Sequence, residues 1–308
     1  MHTSLLCYNI SMDLTSPKTI KDLLSKYNAR PSKGLGQNFL IDRNILEKII
    51  KASDIKKDDI ILEVGPGIGA LTQELARMVH PVKSSEAGIL PKAKLFNGAG
   101  KVIAIEKDAT MCKILAETIK EYKNVEIING DILRYKFPAG LYKVVSNIPY
   151  YLTSPLIRAL LENKNQPSEI ILMVQKEVAQ RICSKPPDMS ILSVSVQFYA
   201  EAKIISYVSK NCFLPVPKVD SAIIKIVPFK QPALEDRERF FKVVKAGFSH
   251  PRKQLTNNLL ALSSVEGINA LKLRREKVES WLRKNNIKPA QRAETLSVED
   301  WVNLANGF

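Results

Sequence analysis

The segment Ile60–Gly69, with the sequence Ile-Ile-Leu-Glu-Val-Gly-Pro-Gly-Ile-Gly, decides the fold. Its apolar run predicts a strand that is buried on both faces of a parallel sheet. The three alternating glycines allow a tight turn and a close approach of the backbone to a ligand, because they carry no Cβ. The next residues, Ala70–Ala76, predict a helix whose first N–H groups point back at that ligand. Strand, loop and helix together indicate a nucleotide-type cofactor site.

Further strands alternate with helical patterns along the chain, which predicts a doubly wound α/β sheet. The other predicted strands are Lys101–Ile105, Val125–Ile128, Tyr142–Ser146, Glu169–Val174, Leu192–Tyr199 and Val219–Val227. A linker is predicted at Pro228–Pro232, and the pattern beyond it is helical throughout. The sequence therefore predicts a smaller all-helical domain after the sheet.

The region from His80 to Gly100 has no periodicity and predicts an inserted surface loop. Because it follows a helix and precedes a strand, it belongs at the amino edge of a parallel sheet, away from the ligand. We therefore expect the chemistry not to need it. The N-terminal residues 1–30 are polar and Lys-rich, and Met12, just before a possible helix start, is the hypothesised natural initiator.

Composition limits the class of protein. Lysine and arginine exceed aspartate and glutamate by 15, which favours a polyanionic partner, nucleic acid before an anionic membrane surface. No apolar run is long enough to cross a membrane. The four cysteines are far apart, as expected of free thiols in a reducing, cytoplasmic compartment. With three histidines in the chain, a metal site is not expected.

Three predicted strands end in carboxylates, at Glu63, Glu106 and Asp131. The carboxyl ends of parallel strands are where such a sheet binds its ligand. Glu106 is suited to accept both hydroxyls of a ribose, and Asp131 to accept from the amino group of a base. A dinucleotide site for hydride transfer is an alternative, although Glu63 before the glycines argues against it. Glu106 follows Gly69 by 37 residues, against about 20 in the dinucleotide pattern, but the inserted loop could explain the excess.

The segment Ser146–Tyr151, Ser-Asn-Ile-Pro-Tyr-Tyr, favours transfer to an exocyclic amine of a base. Such an amine is a poor nucleophile, because its lone pair is delocalised into the ring. The side-chain oxygen of Asn147 and the carbonyl of Ile148 can accept its N–H groups and direct the lone pair at an electrophile, while Pro149 stiffens the turn. Tyr150 offers a flat face on which an extruded base can stack.

Several motifs together carry a resemblance to one family: Lys33–Leu40, Ile61–Thr72, Ala104–Asp108, Gly130-Asp131, Ser146–Tyr151 and Phe213–Ser221. From about residue 14 to 306 the chain resembles the ribosomal RNA adenine N6,N6-dimethyltransferases, and within them the bacterial KsgA-type small-subunit branch. The resemblance implies a Rossmann-like, seven-stranded S-adenosylmethionine-dependent methyltransferase sheet. It also implies dimethylation of N6 of two adjacent adenosines near the 3′ end of small-subunit (16S-type) rRNA, in the immature small ribosomal subunit.

The resemblance also implies roles for individual residues. Asn38, Leu40, Gly65, Gly67, Glu106, Asp131 and Asn147 would bind S-adenosylmethionine, and Asn147, Ile148, Pro149, Tyr150 and Phe213 would bind and activate the target adenine. The domains would be an N-terminal extension (1–30), a catalytic domain (31–229, with the insertion 80–100) and a helical rRNA-binding domain (233–308). In the last domain Arg252, Lys253, Arg274 and Arg275 are the candidate rRNA-binding residues, and a monomer is expected.

Three other functions share parts of this pattern. A DNA adenine methyltransferase has a similar cofactor loop and catalytic tetrapeptide. A large-subunit rRNA dimethyltransferase of the antibiotic-resistance type shares the catalytic domain. A non-catalytic descendant, acting in assembly or transcription, has the fold without the reaction, and the intact Asn147–Tyr150 segment argues against it.

Overall fold

The computed structural model of the chain describes residues 12–32, 34–79, 100–230, 237–262 and 270–307. The predicted insertion at 80–100 lies outside them except for Gly100, as do Gln231 and Pro232 of the predicted linker. The described strands are β1 (Phe39–Leu40), β2 (Ile60–Val64), β3 (Lys101–Glu106), β4 (Val125–Asn129), β5 (Lys143–Asn147), β6 (Glu169–Gln175), β7 (Ala200–Val208), β8 (Phe213–Leu214) and β9 (Ser221–Pro228).

The described helices are α1 (Pro17–Lys26), α2 (Arg43–Ala52), α3 (Ala70–Met78), α4 (Ala109–Thr118), α5 (Thr153–Leu161), α6 (Lys176–Ile182), α7 (Ile191–Gln197), α8 (Arg237–Gly247), α9 (Leu255–Leu259), α10 (Ala270–Lys284) and α11 (Val298–Asn306). None of them is long and apolar enough to span a lipid bilayer.

Seven strands form the main sheet in the spatial order β4-β3-β2-β5-β6-β9-β7. Strands β2 to β6 are parallel, whereas β9 is antiparallel to both β6 and β7. The carboxyl ends of β2 to β7 therefore lie at one edge, together with the amino end of β9. Helices on both faces bury the apolar runs, as the sequence predicted, and the Rossmann-like fold is confirmed.

One predicted strand is wrong. Leu192–Tyr199 belongs mostly to helix α7, and the edge strand β7 follows it. The alternation of Leu192, Val194 and Val196 with polar residues resembles a strand, but Ser190 begins a capping box with Ser193 and fixes the first helical turn. A local capping signal thus prevails over a period-2 pattern, and the count of seven strands is still correct.

The N-terminal and C-terminal helices pack on the sheet domain. Helix α1 shares an apolar cluster with Phe39 and with Ile68 of the glycine loop, so the end of the predicted N-terminal extension supports the site. The C-terminal helices share the largest cluster with the sheet, and Phe198 stacks on Phe240 of α8 with 4.0 Å between ring centroids. Ser297 and Asp300 form a capping box at the start of α11.

Candidate active site

A cavity of about 210 Å³ opens at the carboxyl edge of the main sheet. It lies where the ends of β2, β3 and β5 meet, with β1 and β8 as a second wall. The edge of a parallel sheet collects residues from separate strands, so side chains that are distant in sequence come together here. All residues proposed from the sequence for cofactor binding or catalysis line it: Asn38, Leu40, Gly65, Gly67, Glu106, Asp131, Asn147, Ile148, Pro149, Tyr150 and Phe213.

Two positions of the loop require glycine for two reasons, their backbone conformation and the close packing of neighbouring side chains. Gly65 and Gly67 have φ angles of +67° and +58°, which L side chains rarely adopt. A Cβ on Gly65 would lie 3.3 Å from Cδ of Pro149, and one on Gly67 would lie 3.3 Å from Cε1 of Phe39. The loop therefore packs against both the catalytic segment and β1, and it cannot carry side chains without displacing them.

Glu106, at the end of β3, is buried and fixed by the backbone. Its Oε2 accepts a hydrogen bond from the Gly67 N–H at 3.1 Å, and its Oε1 accepts one from the Asp108 N–H at 2.9 Å. Burial raises the pKa of Glu106, while these N–H donors oppose the shift. The carboxylate is thus held between the glycine loop and the start of α4, with its remaining lone pairs available to a ligand in the cavity.

Asp131 lies at the rim of the cavity and caps the short 3-10 helix Ile132–Arg134. Its Oδ1 accepts from the Leu133 N–H at 3.0 Å, and its Oδ2 is paired with the Lys107 ammonium at 3.0 Å. The hydrogen bond from Lys107 is the main reason why the pKa of Asp131 lies below its usual range. Asp131 is therefore an oriented and ionised acceptor.

Asn147 ends β5, directly next to the glycine loop. The Ser146 hydroxyl beside it accepts a hydrogen bond from the Val64 N–H at 2.8 Å, which ties β5 to β2 at the edge. Pro149 begins the 3-10 helix Tyr150–Leu152 and packs against Gly65. The hydrogen bond of Ser146 and the packing of Pro149 thus fix the segment from Asn147 to Tyr150, so that binding of a ligand has little conformational entropy left to remove from it.

Tyr150 and Phe213 line the cavity beside Asn147. The Tyr150 hydroxyl shares a 2.8 Å hydrogen bond with the Ser221 Oγ, and burial is the main cause that raises its pKa. Phe213 is buried on β8, which pairs with β1 in the register Leu40 to Phe213. Phe213 lies between the last two strands predicted from the sequence, and the structure shows that this segment contributes the short strand β8 to the cavity wall.

Glu63 is the main residue of the cavity that was not proposed as a site residue from the sequence. It is buried, and its Oε2 has no hydrogen-bond partner among the described residues. Burial raises the pKa of Glu63 to about 8; the Thr72 hydroxyl opposes this shift and the nearby Glu106 carboxylate adds to it. The place of Glu63 at the end of a buried apolar run already indicated the ligand edge from the sequence, but did not indicate a role for it. Leu133 and Tyr151, exposed at the mouth, had no comparable signal.

The charges of the cavity are opposite to those of the whole chain. Among the residues that the structure describes, the carboxyl groups of Glu63, Glu106 and Asp131 line it, and Lys107 contributes the one ammonium. The chain as a whole has a formal charge of +15. An acidic cavity with an unpartnered buried carboxyl oxygen fits a cationic, amino-bearing cofactor such as S-adenosylmethionine.

The four candidate rRNA-binding residues do not line this cavity. Arg252 and Lys253 are exposed in the turn after α8. On α10, the guanidinium of Arg275 is paired with Glu279 at 3.0 Å and donates to Asn257 Oδ1 at 3.2 Å. The assignment of these residues to rRNA binding stays a prediction.

The family model for ribosomal RNA adenine dimethylase matches residues 28–88 and 87–306. The chain belongs to this family. It is similar to ribosomal RNA small subunit methyltransferase A of Geobacillus thermodenitrificans, with 38% identity over 96% of this chain and 97% of that protein. The protein of the same name from Alkaliphilus oremlandii is 39% identical over 96% of this chain and 98% of that protein. The chain is thus an S-adenosylmethionine-dependent methyltransferase, as the resemblance of its motifs implied.

Solved structures support the same fold. A dimethyladenosine transferase from Plasmodium falciparum is 26% identical, covers 86% of this chain and 95% of its own, and superposes with a TM-score of 0.69. The 23S rRNA methyltransferase ErmE is also 26% identical, covers 88% of this chain and 99% of its own, and has a TM-score of 0.67. Both similarities extend well beyond the sheet into the C-terminal part of the chain.

Proposed function

We propose that the protein dimethylates N6 of two adjacent adenosines near the 3′ end of small-subunit rRNA, within the immature small ribosomal subunit. The observation that carries the proposal is that Asn147, Ile148 and Tyr150 line the same cavity as Gly65, Glu106 and the other cofactor candidates. A base that stacks beside Tyr150 therefore meets the cofactor inside one enclosure, and such alignment is a large part of catalysis for two bound reactants.

The residues at the end of β5 activate the amine of the target adenine. The Asn147 side-chain oxygen and the Ile148 carbonyl accept the two N–H groups of the adenine amine, which favours a pyramidal nitrogen with a directed lone pair. The bound S-adenosylmethionine supplies a methyl group on a positively charged sulfur, as an electrophile. Because Pro149 is packed against Gly65, the two acceptors keep a fixed position relative to the glycine loop.

The target adenine is held by aromatic faces. Tyr150 is fixed by its hydrogen bond to Ser221, and Phe213 is fixed by the pairing of β8 with β1. Stacking of an extruded base on an aromatic side chain contributes about 1–3 kcal/mol. The base is therefore bound through its two faces, and its amino edge stays free to form hydrogen bonds with Asn147.

The cofactor is bound by the acidic side of the cavity. Glu106 accepts from the ribose hydroxyls and Asp131 from the adenine amine, while Gly65 and Gly67 approach the methionine part and Asn38 and Leu40 flank it. The Oε2 of Glu63, which has no hydrogen-bond partner among the described residues, is the proposed acceptor for the ammonium group of the methionine part. The acidic lining favours a cationic cofactor, and the basic exterior of the chain favours RNA.

The choice of the small subunit rests on the relatives. Curated proteins named small subunit methyltransferase A match nearly the full length of this chain at 36–40% identity. The large-subunit enzyme ErmE has a similar fold at 26% identity. Residues 233–308, with Arg252, Lys253, Arg274 and Arg275, are proposed as the part that binds rRNA within the subunit.

A single experiment separates this function from its rivals. Labelled S-adenosylmethionine is offered with unmethylated small subunits, large subunits, naked rRNA and duplex DNA. We expect label only in adenosines of the small subunit. Label in large subunits or duplex DNA would support one of the other methyltransferases. The absence of label from every substrate, with cofactor still bound, would support the non-catalytic alternative.

A further inference from the structure

Besides Tyr151 at the mouth of the cavity, another exposed aromatic residue lies at the carboxyl edge of the sheet, outside the cavity. Tyr207, near the end of β7, is 52% exposed, and the ammonium of Lys176 lies 5.3 Å from the centre of its ring. Lys176 is the first residue of α6, directly after β6. We call the surface formed by Lys176, Tyr207, Lys210, Lys218 and Val219 the Tyr207 patch.

The patch is connected to the cavity by the backbone. The Lys176 N–H donates to the Asp220 carbonyl at 3.0 Å, and the Lys210 N–H donates to Asp220 Oδ1 at 3.0 Å. The next residue, Ser221, forms the hydrogen bond with the Tyr150 hydroxyl. Asp220 thus joins the patch to the residue that fixes the candidate base-binding tyrosine.

The sheet register places the patch at the same edge as the cavity. Asn147 pairs with Met173 on β6, and Tyr207 pairs with Ala222 on β9, which in turn pairs with Val174. Three strand spacings separate β5 from β7, which amounts to roughly 14 Å. A strand of RNA with one base in the cavity therefore reaches the patch with its neighbouring nucleotides.

The chemistry of the patch suits single-stranded RNA. Lys176, Lys210 and Lys218 are exposed, and none of them is among the ion pairs of the described residues. Val219 adds an exposed apolar surface beside them. Aromatic faces combined with lysines that track the backbone are the usual means by which proteins bind single strands.

We propose that the Tyr207 patch binds the rRNA segment next to the target adenosine, with a base on the Tyr207 ring and phosphates on Lys176, Lys210 and Lys218. This inference rests on the proposed function and adds a binding site to it. Lys176 can leave the ring for a phosphate when a base takes its place, since both positions are at the surface. A pairing of Lys176 with Tyr207 for stability alone is the competing explanation.

The test compares binding of unmethylated small subunits by variants of the whole chain. Tyr207→Ala is expected to weaken binding roughly 5- to 150-fold, the factor that corresponds to the stacking of one base. Tyr207→Phe keeps the ring and is expected to bind as the parent does. The triple variant K176A/K210A/K218A is expected to lower the slope of log affinity against log salt by about 2.

The controls are an aromatic residue and a lysine at the opposite edge. Phe229 follows β9 there and is 46% exposed, and Lys164 is exposed in the loop before β6. Phe229→Ala and Lys164→Ala should leave binding and its salt slope unchanged. If Tyr207→Ala lowers the melting temperature but not subunit affinity, the inference is wrong and the pair is structural. If the parent methylates no small subunit at all, the proposed function fails instead.

Discussion

The two edges of the main sheet use the same residue types in opposite ways. At the carboxyl edge, Glu63 and Glu106 are buried with backbone N–H groups or no partner beside them. At the amino edge, Glu169 pairs with Lys225 at 2.6 Å and Asp59 pairs with Lys143 at 2.9 Å. We infer that the paired carboxylates Glu169 and Asp59 contribute to the fold, whereas Glu63 and Glu106, buried without a cation among the described residues, are available to a ligand.

The amino edge is also where the end of α2 is attached. The Lys143 ammonium donates to the carbonyls of Ser53 and Asp54, and the Lys225 ammonium donates to the carbonyl of Ala52. These carbonyls lie at the carboxyl end of α2, where unpaired acceptors and the helix dipole favour a cation. Both ammonium groups of this network thus have a carboxylate and helix-end carbonyls as partners, although the Oε1 of Glu169 has no hydrogen-bond partner among the described residues.

The largest effect is expected at the carboxyl edge, from Asn147→Ala. The variant removes the proposed side-chain acceptor of the target amine, and we expect methyl transfer to fall roughly 100- to 1000-fold, as for the loss of one transition-state hydrogen bond. Binding of S-adenosylmethionine should weaken far less. Single-turnover kinetics and equilibrium binding measure the two effects.

Asn44→Ala is the matched control for that variant, because Asn44 is an exposed amide on α2. It should leave turnover unchanged. Turnover close to that of the parent in Asn147→Ala would show that the amine is activated by other groups, and would remove the functional contrast between the two edges.

The next effect concerns Glu63 and pH. Its pKa of about 8 in the folded chain lies above the ordinary value of 4.5, so the folded state binds more protons between those limits. The stability that this contributes is fully present below about pH 4.5 and is lost as pH rises through 8. The side chain of Glu63→Gln does not titrate. Between about pH 4.5 and pH 8 the free energy of unfolding of the parent should therefore fall by on the order of 1–4 kcal/mol relative to that of the variant.

Denaturant unfolding of both proteins between pH 5 and pH 9, without cofactor, measures the difference. Stability curves that stay parallel at every pH would mean that Glu63 is ionised throughout. In that case the carboxyl edge would not differ from the amino edge in the way described above.

Glu169→Gln tests the amino edge. It leaves the ammonium of Lys225 without its carboxylate, and since both side chains are largely buried we expect a loss of about 1–3 kcal/mol in the free energy of unfolding, the usual range for a buried donor that loses its partner. Affinity for S-adenosylmethionine should stay within about twofold. Glu162→Gln breaks the exposed pair with Arg158 and should cost at most about 0.5 kcal/mol. Equal losses in the two variants would show that burial of the pair does not matter.

The sequence predicted what depends on local pattern. The apolar runs of β2 and β3, the acceptors at their ends and the glycine loop follow from residues that are close together in the chain, and the structure brings them to one cavity. Asp42 and Ser297, which cap α2 and α11, act over the same short range. Local signals are sufficient for such features, because the side chain acts within one turn of its own position.

What the sequence did not predict depends on contacts between distant segments. Leu40 and Phe213 pair across β1 and β8 although more than half of the chain separates them. The ion pair of Lys107 with Asp131 joins the ends of two strands, and that of Lys225 with Glu169 joins two others. No periodicity encodes such partners, and the confusion between α7 and β7 shows that even periodicity fails where a cap overrides it.

The smallest effect is expected from the segment between α3 and β3. Val79 ends the described part before it and Gly100 begins the part after it, both at the amino edge, because α3 descends from the glycine loop and β3 rises towards the cavity. Replacing residues 81–99 by a short Gly/Ser linker should therefore leave the rate of methyl transfer within about twofold, since loop length alone has a small entropic effect. A folded variant that binds cofactor but no longer methylates subunits would place part of the substrate contact at the amino edge, and the division of the sheet into a structural edge and a functional edge would no longer hold.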